Sequence, residues 1–309
     1  MKKISIVSGC YNEEDNLEEF FKRTIAAIQE AGSYDWEIIV IDNHSTDGSR
    51  EILKKYAAQN QRIKAIFNNR NFGHIRSPYH GILQGQGDAV IYLASDLQDP
   101  PEMIKQFVAA WEGGAKVVAA IKNESEESAL FFLARKTYYN IVAKLSDVDL
   151  LKNFTGCGLY DQTVIEHLRN MQDPYPYFRG QISELGFPVH KIPFVQPVRK
   201  RGFSKNNFYT LYDIAMLGFT NHTKIPLRLA SMLGFITSLL SFLVGLIYLI
   251  LKLVLWQNFT IGLAPVVVGL FFMGSVQLLF IGILGEYIGA IHTKVTKRPL
   301  VVEAERINF

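Results

Sequence analysis

Cysteine is nearly absent: Cys10 and Cys157 are the only two in 309 residues. Two cysteines this far apart build no disulfide framework, which excludes the stapled secreted domains and agrees with a reducing compartment. An excess of one charge sign is also missing. The chain carries 32 Lys and Arg against 29 Asp and Glu, and a formal charge of +3 gives no reason to expect nucleic acid as a partner. No secretory leader is expected in MKKISIVSGCYNEE, because its apolar run is too short and runs straight into acids. The soluble part of the chain is therefore expected to stay in the cytosol. Internal repeats and low-complexity segments are absent.

The most informative absence is local. Residues 229–251 contain no charged side chain, and neither do residues 259–285. A helix of that length crosses a hydrocarbon core of roughly 30 Å. The alternative is a pair of buried helices in a large globular core, and uncharged runs of this length argue against it. Lys224 and Arg228 precede the first run, whereas Lys294, Lys297 and Arg298 follow the second. The link near Trp256–Thr260 is short and polar, with only Lys252 before it. By the positive-inside rule both ends are expected in the cytoplasm, with the tip of the hairpin outside.

Before these runs the chain alternates between strand and helix patterns. ISIVSGC (4–10), EIIVIDN (37–43), IKAIF (63–67), AVIYLAS (89–95) and KVVAAIK (116–122) read as strands. Helical stretches cover 12–31, 47–58, a segment beginning near Arg76, and 100–114. Apolar, β-rich strands without alternation suit a buried parallel sheet with helices on both faces. Ligands of such sheets bind beyond the carboxyl ends of the strands. Three polar clusters fall there: Tyr11-Asn12-Glu13-Glu14, Asp42-Asn43, and Ser95-Asp96-Leu97-Gln98-Asp99. Their expected convergence is the main sign of an enzyme. Later segments are less regular. Residues 126–145 and 162–170 read as helical, 154–161 as a glycine-rich lining segment, and 191–207 as a strand running into a basic loop. From Phe208 to Phe219 one apolar helical face leads up to the first uncharged run, as in a helix lying in the membrane interface; a packed helix of the soluble part fits the same pattern.

The acidic loop allows two readings. Asp99 followed by Pro100 and Pro101 is a helix start that needs no function. Asp96 follows a strand, and no helix requires it. Asp96 and Gln98 offer two hard oxygen donors two residues apart, which suit Mg2+ or Mn2+ completed by water and phosphate oxygens. Nucleotide-sugar sites usually pair two carboxylates at this spacing, but the position two before Asp96 is Ala94.

CYNEEDNL (10–17), IVIDNHSTDGS (39–49), NRNFG (69–73) and SDLQDPPE (95–102) stand in the order and spacing of family-two glycosyltransferases. The chain most resembles the branch that transfers sugars to polyisoprenyl phosphates, including bacterial undecaprenyl-phosphate glucosyltransferases and dolichyl-phosphate mannose synthases. The likeness covers nearly the whole chain. It implies an α/β fold: a Rossmann-like GT-A catalytic domain over 1–207, an amphipathic interface helix over 208–228, two transmembrane helices over 229–292 and a cytosolic tail over 293–309. It also implies inverting, metal-dependent transfer from a nucleotide-sugar, UDP-linked in the bacterial members, to a polyprenyl phosphate at the cytoplasmic face of a bacterial inner membrane. Tyr11, Asn12, Glu13, Asp42, Asn43 and Ser95 would surround the donor, with Asn71 and His74 near it or acting as plain loop residues. Asp96 and Gln98 would hold the divalent cation.

Two departures stand out. Ala94 occupies the place of the first acid, and Asn43 that of a second Asp, though its amide oxygen could still accept from a base N–H. The base usually found before an F-R-L segment is also missing from NFTGCGLYD. A phosphate monoester is already mostly dianionic near neutral pH and needs no base, so this absence favours a phosphate acceptor. Arg199, Arg201 and Lys205, in one loop, are placed to meet that phosphate or anionic lipid in general, and Arg135 is a weaker candidate. The rivals are transfer to a lipid hydroxyl, a processive polysaccharide synthase, and a catalytically impaired relative serving as a membrane assembly partner. No Q-x-x-R-W segment precedes Trp36, Trp111 or Trp256, which counts against the synthase. The sugar remains open, and so does oligomeric state, a homo-oligomer included.

Overall fold

The computed structural model describes residues 1–122, 151, 153–197, 225–254, 263–296 and 298–309. Strand β1 (Lys3–Cys10) is followed by α1 (Glu14–Ala31), β2 (Asp35–Asp42), α2 (Ser49–Gln59), β3 (Ile63–Asn68), α3 (Gly73–Gln84) and β4 (Ala89–Tyr92). A short 3-10 turn at Pro101–Met103 leads into α4 (Ile104–Glu112) and β5 (Val117–Lys122). Then come β6 (Phe154–Asp161), α5 (Gln162–Met171), α6 (Phe178–Glu184) and β7 (Val189–Phe194). Two long helices, α7 (Ile225–Val254) and α8 (Leu263–Val295), precede β8 (Glu303–Ile307).

The eight strands form one sheet in the order β7-β5-β6-β4-β1-β2-β3-β8. The expected alternation is present, but the sheet is mixed rather than purely parallel. Strand β6 runs antiparallel to both β4 and β5, and β8 antiparallel to β3. Successive residues of the central strands face opposite sides, which gives two cores. Ile38, Val40 and Phe67 pack with Phe20, Phe21 and Phe107 from α1 and α4. Ile39, Ile41 and Ile66 pack with Ile82, Val164 and Ile182 from α3, α5 and α6. Runs buried on both faces are why β2 reads as uninterrupted apolar sequence.

Two segments differ from their sequence-based expectation. Residues 154–161, read as a lining segment, form a buried interior strand. A Cβ at Gly158 would lie 2.1 Å from the Val118 carbonyl oxygen, so only glycine allows β5 this close. The tail, read as a cytosolic segment over 293–309 with no element assigned to it, contains β8, which pairs with β3 at the sheet edge. It is tied down by His80 Nε2 to Glu303 Oε1 (2.6 Å) and by Lys54 Nζ to Glu305 Oε2 (2.8 Å). Asn308 Nδ2 donates to the Ala57 and Ile63 carbonyls at 2.7 and 2.8 Å. The strand read over 89–95 is shorter, ending at Tyr92, and α3 begins at Gly73, before Arg76. Of the expected interface helix, residues 225–228 lie in the first turn of α7; the rest lies outside the described residues, as does the helical reading of 126–145.

Helices α7 and α8 contain segments long and apolar enough to cross a membrane, Leu227–Ile247 and Val266–Val295. Their large apolar side chains lie outside the protein core, with Phe235 72% and Phe271 70% exposed. Such a surface is far larger than a soluble domain ordinarily leaves in water.

At the end of the sheet away from the polar loops, Glu37 is 2% exposed and lies 2.7 Å from Lys3 Nζ and 2.9 Å from Lys64 Nζ. Ser5 Oγ donates to it at 2.6 Å. Burial alone would raise its pKa, but Lys3, Ser5 and Lys64 together draw it down to about 2. A depressed carboxylate contributes stability above its unfolded pKa near 4.3, and that stability is lost as pH falls toward the folded value. Glu37→Ala leaves two partly buried ammonium groups without their carboxylate, and denaturant titration should find a loss of about 3 kcal/mol. The pH dependence of stability below about pH 4 should flatten in the same variant.

Candidate active site

Strand β1 lies between β2 and β4, with all three parallel, so the chain leaves β1 at the point where strand order reverses. A crevice opens there beyond the carboxyl ends. Cys10 is opposite Asp42, and Val7 opposite Tyr92, so the loops after β1, β2 and β4 emerge together. Asn43 N donates to the Cys10 carbonyl at 2.9 Å, and Ser95 Oγ to the Gly9 carbonyl at 2.8 Å. The three sequence-predicted clusters do converge.

The first two loops are zipped to each other. Asn12 has φ +55°, a left-handed conformation that asparagine tolerates. Its N–H donates to Ser45 Oγ at 2.9 Å, while its Oδ1 accepts from Thr46 N at 2.8 Å. Glu13 N donates to Ser49 Oγ at 2.9 Å, and Glu13 Oε2 accepts from Asn16 Nδ2 at 2.7 Å. Tyr11 is half-buried beside them. Asp42 is fully buried, accepts from Ser45 N at 3.2 Å on each oxygen, and has Arg50 Nε at 3.4 Å. Burial dominates and raises its pKa, against the pull of Ser45 and Arg50.

Asn43 spends its whole amide on the protein. Nδ2 donates to Asn71 Oδ1 at 2.9 Å and the Gly73 carbonyl at 3.1 Å. Oδ1 accepts from Phe72 N at 2.8 Å and Asn68 Nδ2 at 3.2 Å. Both N–H bonds and both lone pairs are used, so the amide oxygen expected to meet a base N–H is already engaged. Asn43 shapes the loop carrying Asn71, whose own Oδ1 also accepts from Gly73 N at 2.8 Å. His74 follows, exposed at the mouth of a neighbouring cavity. Surrounding protein, then the charge of Arg179, lowers its pKa.

In the acidic loop, Asp96 Oδ1 accepts from Gln98 N at 3.1 Å across Leu97, whose φ is +60°. Asp96 and Gln98 are half-exposed, and Ser95 is buried. Among the described residues no group of three or more His, Cys, Asp or Glu could hold a metal. A carboxylate and an amide oxygen fit a hard divalent cation that also takes phosphate oxygens and water, rather than one caged by protein. Asp99 corrects the helix-start reading. The turn at Pro101–Met103 has no side-chain cap. Asp99 is 4% exposed, and its Oδ2 accepts from Ala94 N at 3.2 Å, closing the loop on itself. Burial, with Asp96 adding repulsion, pushes its pKa up to about 6 despite help from Ala94 N, Cys157 and Lys122. Arg199, Arg201, Lys205 and Arg135 lie outside the described residues.

Residues 5–169 match the family described as glycosyl transferase family 2. Over 300 residues, 96% of this chain and 96% of the relative, the chain is 32% identical to a SfII prophage-derived bactoprenol glucosyl transferase of Shigella flexneri. It is 31% identical, over 96% of this chain and 97% of the relative, to a prophage bactoprenol glucosyl transferase homolog of Escherichia coli strain K12. The chain belongs to glycosyl transferase family 2. Its mixed sheet, with polar loops at the switch point, is of the GT-A type. A solved mannosyl-3-phosphoglycerate synthase from Rubrobacter xylanophilus is similar over 70% of this chain and 71% of its own, at 14% identity and a TM-score of 0.49, too distant to carry an argument.

Sequence reasoning about this glycosyltransferase missed the inward turn of Asp99, because Asp-Pro-Pro has an adequate local explanation. It also missed Arg179, which lines the cavity beside His74; a lone charge within the aromatic run YPYFRG was the available signal.

Asn43→Asp would set a carboxylate against Asn71 Oδ1 and the Gly73 carbonyl, and thermal or urea unfolding should show a loss of about 1–3 kcal/mol. For Asp99, the folded pKa exceeds the unfolded value near 3.9, so its contribution is fully present below about pH 4 and is lost as pH rises through about 6. Relative to the parent, Asp99→Asn should therefore gain stability between about pH 4 and pH 7, by at most about 3 kcal/mol in urea titrations without added metal.

Proposed function

We propose that this protein transfers a sugar from a nucleotide-sugar, UDP-linked, to a polyprenyl phosphate at the cytoplasmic face of a membrane, with inversion at the anomeric carbon. The observation that carries this reading is the similarity to bactoprenol glucosyl transferases over 96% of the chain, a span that includes α7 and α8 as well as the GT-A domain. The switch-point crevice supports a donor site built from Tyr11, Asn12, Glu13, Asp42 and Ser95, with Asn43 and Asn71 shaping its wall.

The chemistry around β6 favours a phosphate acceptor. The strand begins Phe154-Thr155-Gly156-Cys157, with no carboxylate. Cys157 is fully buried and its thiol is pushed well above its usual range, so it is no base at neutral pH. A phosphate monoester brings its own nucleophilic oxygen. That oxygen forms the new bond to the anomeric carbon from the face opposite the leaving group, and the anomeric bond to the nucleoside diphosphate breaks, which inverts the centre. A divalent cation, Mg2+ or Mn2+, held by Asp96 and Gln98 with the donor diphosphate, would supply charge for the departing nucleotide. Asp99 positions Asp96 by closing the loop.

The sheet also bears on topology. Strand β8 follows α8 yet pairs with β3. This pairing supports a topology in which the GT-A domain and the tail share one side of a membrane and α7 and α8 cross as a pair. In the sequence, Lys224 and Arg228 stand at the start of the first span and Lys294, Lys297 and Arg298 at the end of the second, which supports a cytoplasmic location for both ends.

Purified protein in detergent, offered UDP- and GDP-sugars with undecaprenyl phosphate and Mn2+ or Mg2+, should release nucleotide only when the lipid phosphate, one sugar donor and the metal are all present. Asp96→Ala should lower the rate by on the order of 100-fold or more. Release with a polyprenyl alcohol instead would move the reading to hydroxyl transfer. A folded protein that turns over no donor would make Ala94 a mark of lost catalysis, as in an assembly partner.

A further inference from the structure

Between α3 and α6, at the carboxyl end of β4 and the start of β6, lies a cavity of about 150 Å³. His74, Thr155, Tyr177 and Arg179 supply its polar lining, and Ile75 and Pro78 are among its apolar walls. No carboxylate among the described residues lines it. Arg179 makes no ion pair with another described residue; Arg76 and Arg169 are likewise without one, but their guanidinium groups donate to the Pro299, Leu83 and Gly85 carbonyls. Its guanidinium is nonetheless held. Nη1 donates to the Phe154 carbonyl at 3.3 Å, and the group lies 5.5 Å from the centre of the Tyr177 ring. Among the described residues that is one donor used of the five an arginine offers. The charge of Arg179 is felt at His74, so the two basic groups share one neighbourhood. The cavity therefore has a positive wall with no neutralising partner among the described residues.

Its position relative to the acidic loop is informative. Leu97 of that loop packs on the α1 and α4 side of the sheet, and Cys157, whose thiol feels the charge of Asp99, belongs to the same core. Tyr92 and Phe178, at the cavity, pack on the opposite side with α3, α5 and α6. In an in-line displacement the entering and leaving oxygens lie on opposite sides of the carbon. The acidic loop serves one side of the strand ends and the cavity the other. Gly156, between Thr155 and Cys157, has a φ of +101°, a backbone conformation that favours glycine.

We propose that Arg179 and His74 form the subsite for the phosphate monoester of the acceptor, on the side of the strand ends opposite the acidic loop. This rests on the phosphate-acceptor reading above and adds to it a pair of residues and a direction of attack. A planar guanidinium pairs with two phosphate oxygens at once. His74 adds an N–H, and Thr155 and Tyr177 add hydroxyls.

The test uses full-length protein in detergent, with the parent compared with Arg179→Gln, Arg179→Lys and His74→Asn. Each variant is first checked by thermal unfolding. In Arg179→Gln the KM for undecaprenyl phosphate should rise by about 10- to 100-fold, with a smaller rise in Arg179→Lys and His74→Asn. Inorganic phosphate should inhibit the parent competitively against the lipid, and inhibit Arg179→Gln more weakly. Binding of geranyl phosphate, followed by 31P NMR, should weaken to the same extent, while geraniol should bind no better to the parent than to the variant. A rise in the KM for the nucleotide-sugar instead, or phosphate competition against the donor, would assign Arg179 to the donor diphosphate and overturn the proposal. Unchanged geranyl phosphate binding in Arg179→Gln would overturn it too. If the parent binds geranyl phosphate through Arg179 yet makes no lipid-linked sugar, the subsite stands and the transfer reading falls.

Discussion

The parallel register of β1 with β2, from Lys3 opposite Asp35 to Cys10 opposite Asp42, determines the height at which two loops leave the sheet. Strand β4 joins on the other side with Val7 opposite Tyr92, which brings a third loop to the same level. Everything polar at the crevice is arranged from that level: Asn12 reaching Ser45 and Thr46, Ser95 reaching Gly9, and Asn43 reaching back to Cys10. A shift of one residue in β1 would exchange its two faces. Ile4 and Ile6 would leave the α1 and α4 core for the other side, and the loop contacts would be lost with them. The hydrophobic alternation of the central strands therefore holds the site together as well as the fold.

Much of this was legible from the sequence because it is written in long, one-sided patterns. Strands β1, β2, β3 and β5 are apolar runs bounded by polar turns, and each matched its expected position to within about two residues. Strand β6 was not legible, because Gly156 and Gly158 imitate a loop. One meets the left-handed backbone there, and the other the close approach of β5, and both needs arise only once the sheet exists. Strand β8 was hidden for the opposite reason. EAERI carries three charges in five residues, as an edge strand does, and nothing local distinguishes it from a solvated tail.

At the site, residue type was easier to read than residue role. The polar clusters after β1, β2 and β4 were identifiable because fold and loop position are linked in a doubly wound sheet. What each side chain does there depends on partners distant in sequence. Asn43 looks like a weakened base-reading acid until Asn68, Asn71, Phe72 and Gly73 are seen to consume its amide. Asp99 looks like a helix start until its carboxyl turns inward to Ala94. In both cases a short-range explanation was available, and a contact made by the folded chain displaced it.

The place of β8 in the sheet has a consequence for biosynthesis. A chain made from its N-terminus presents β1 to β7 well before the last strand exists. The edge of β3 then remains unpaired while α7 and α8 are being made. That edge is a template for pairing with another chain until residues 303–307 emerge and cover it. The sheet is thus completed only after both long helices have been made.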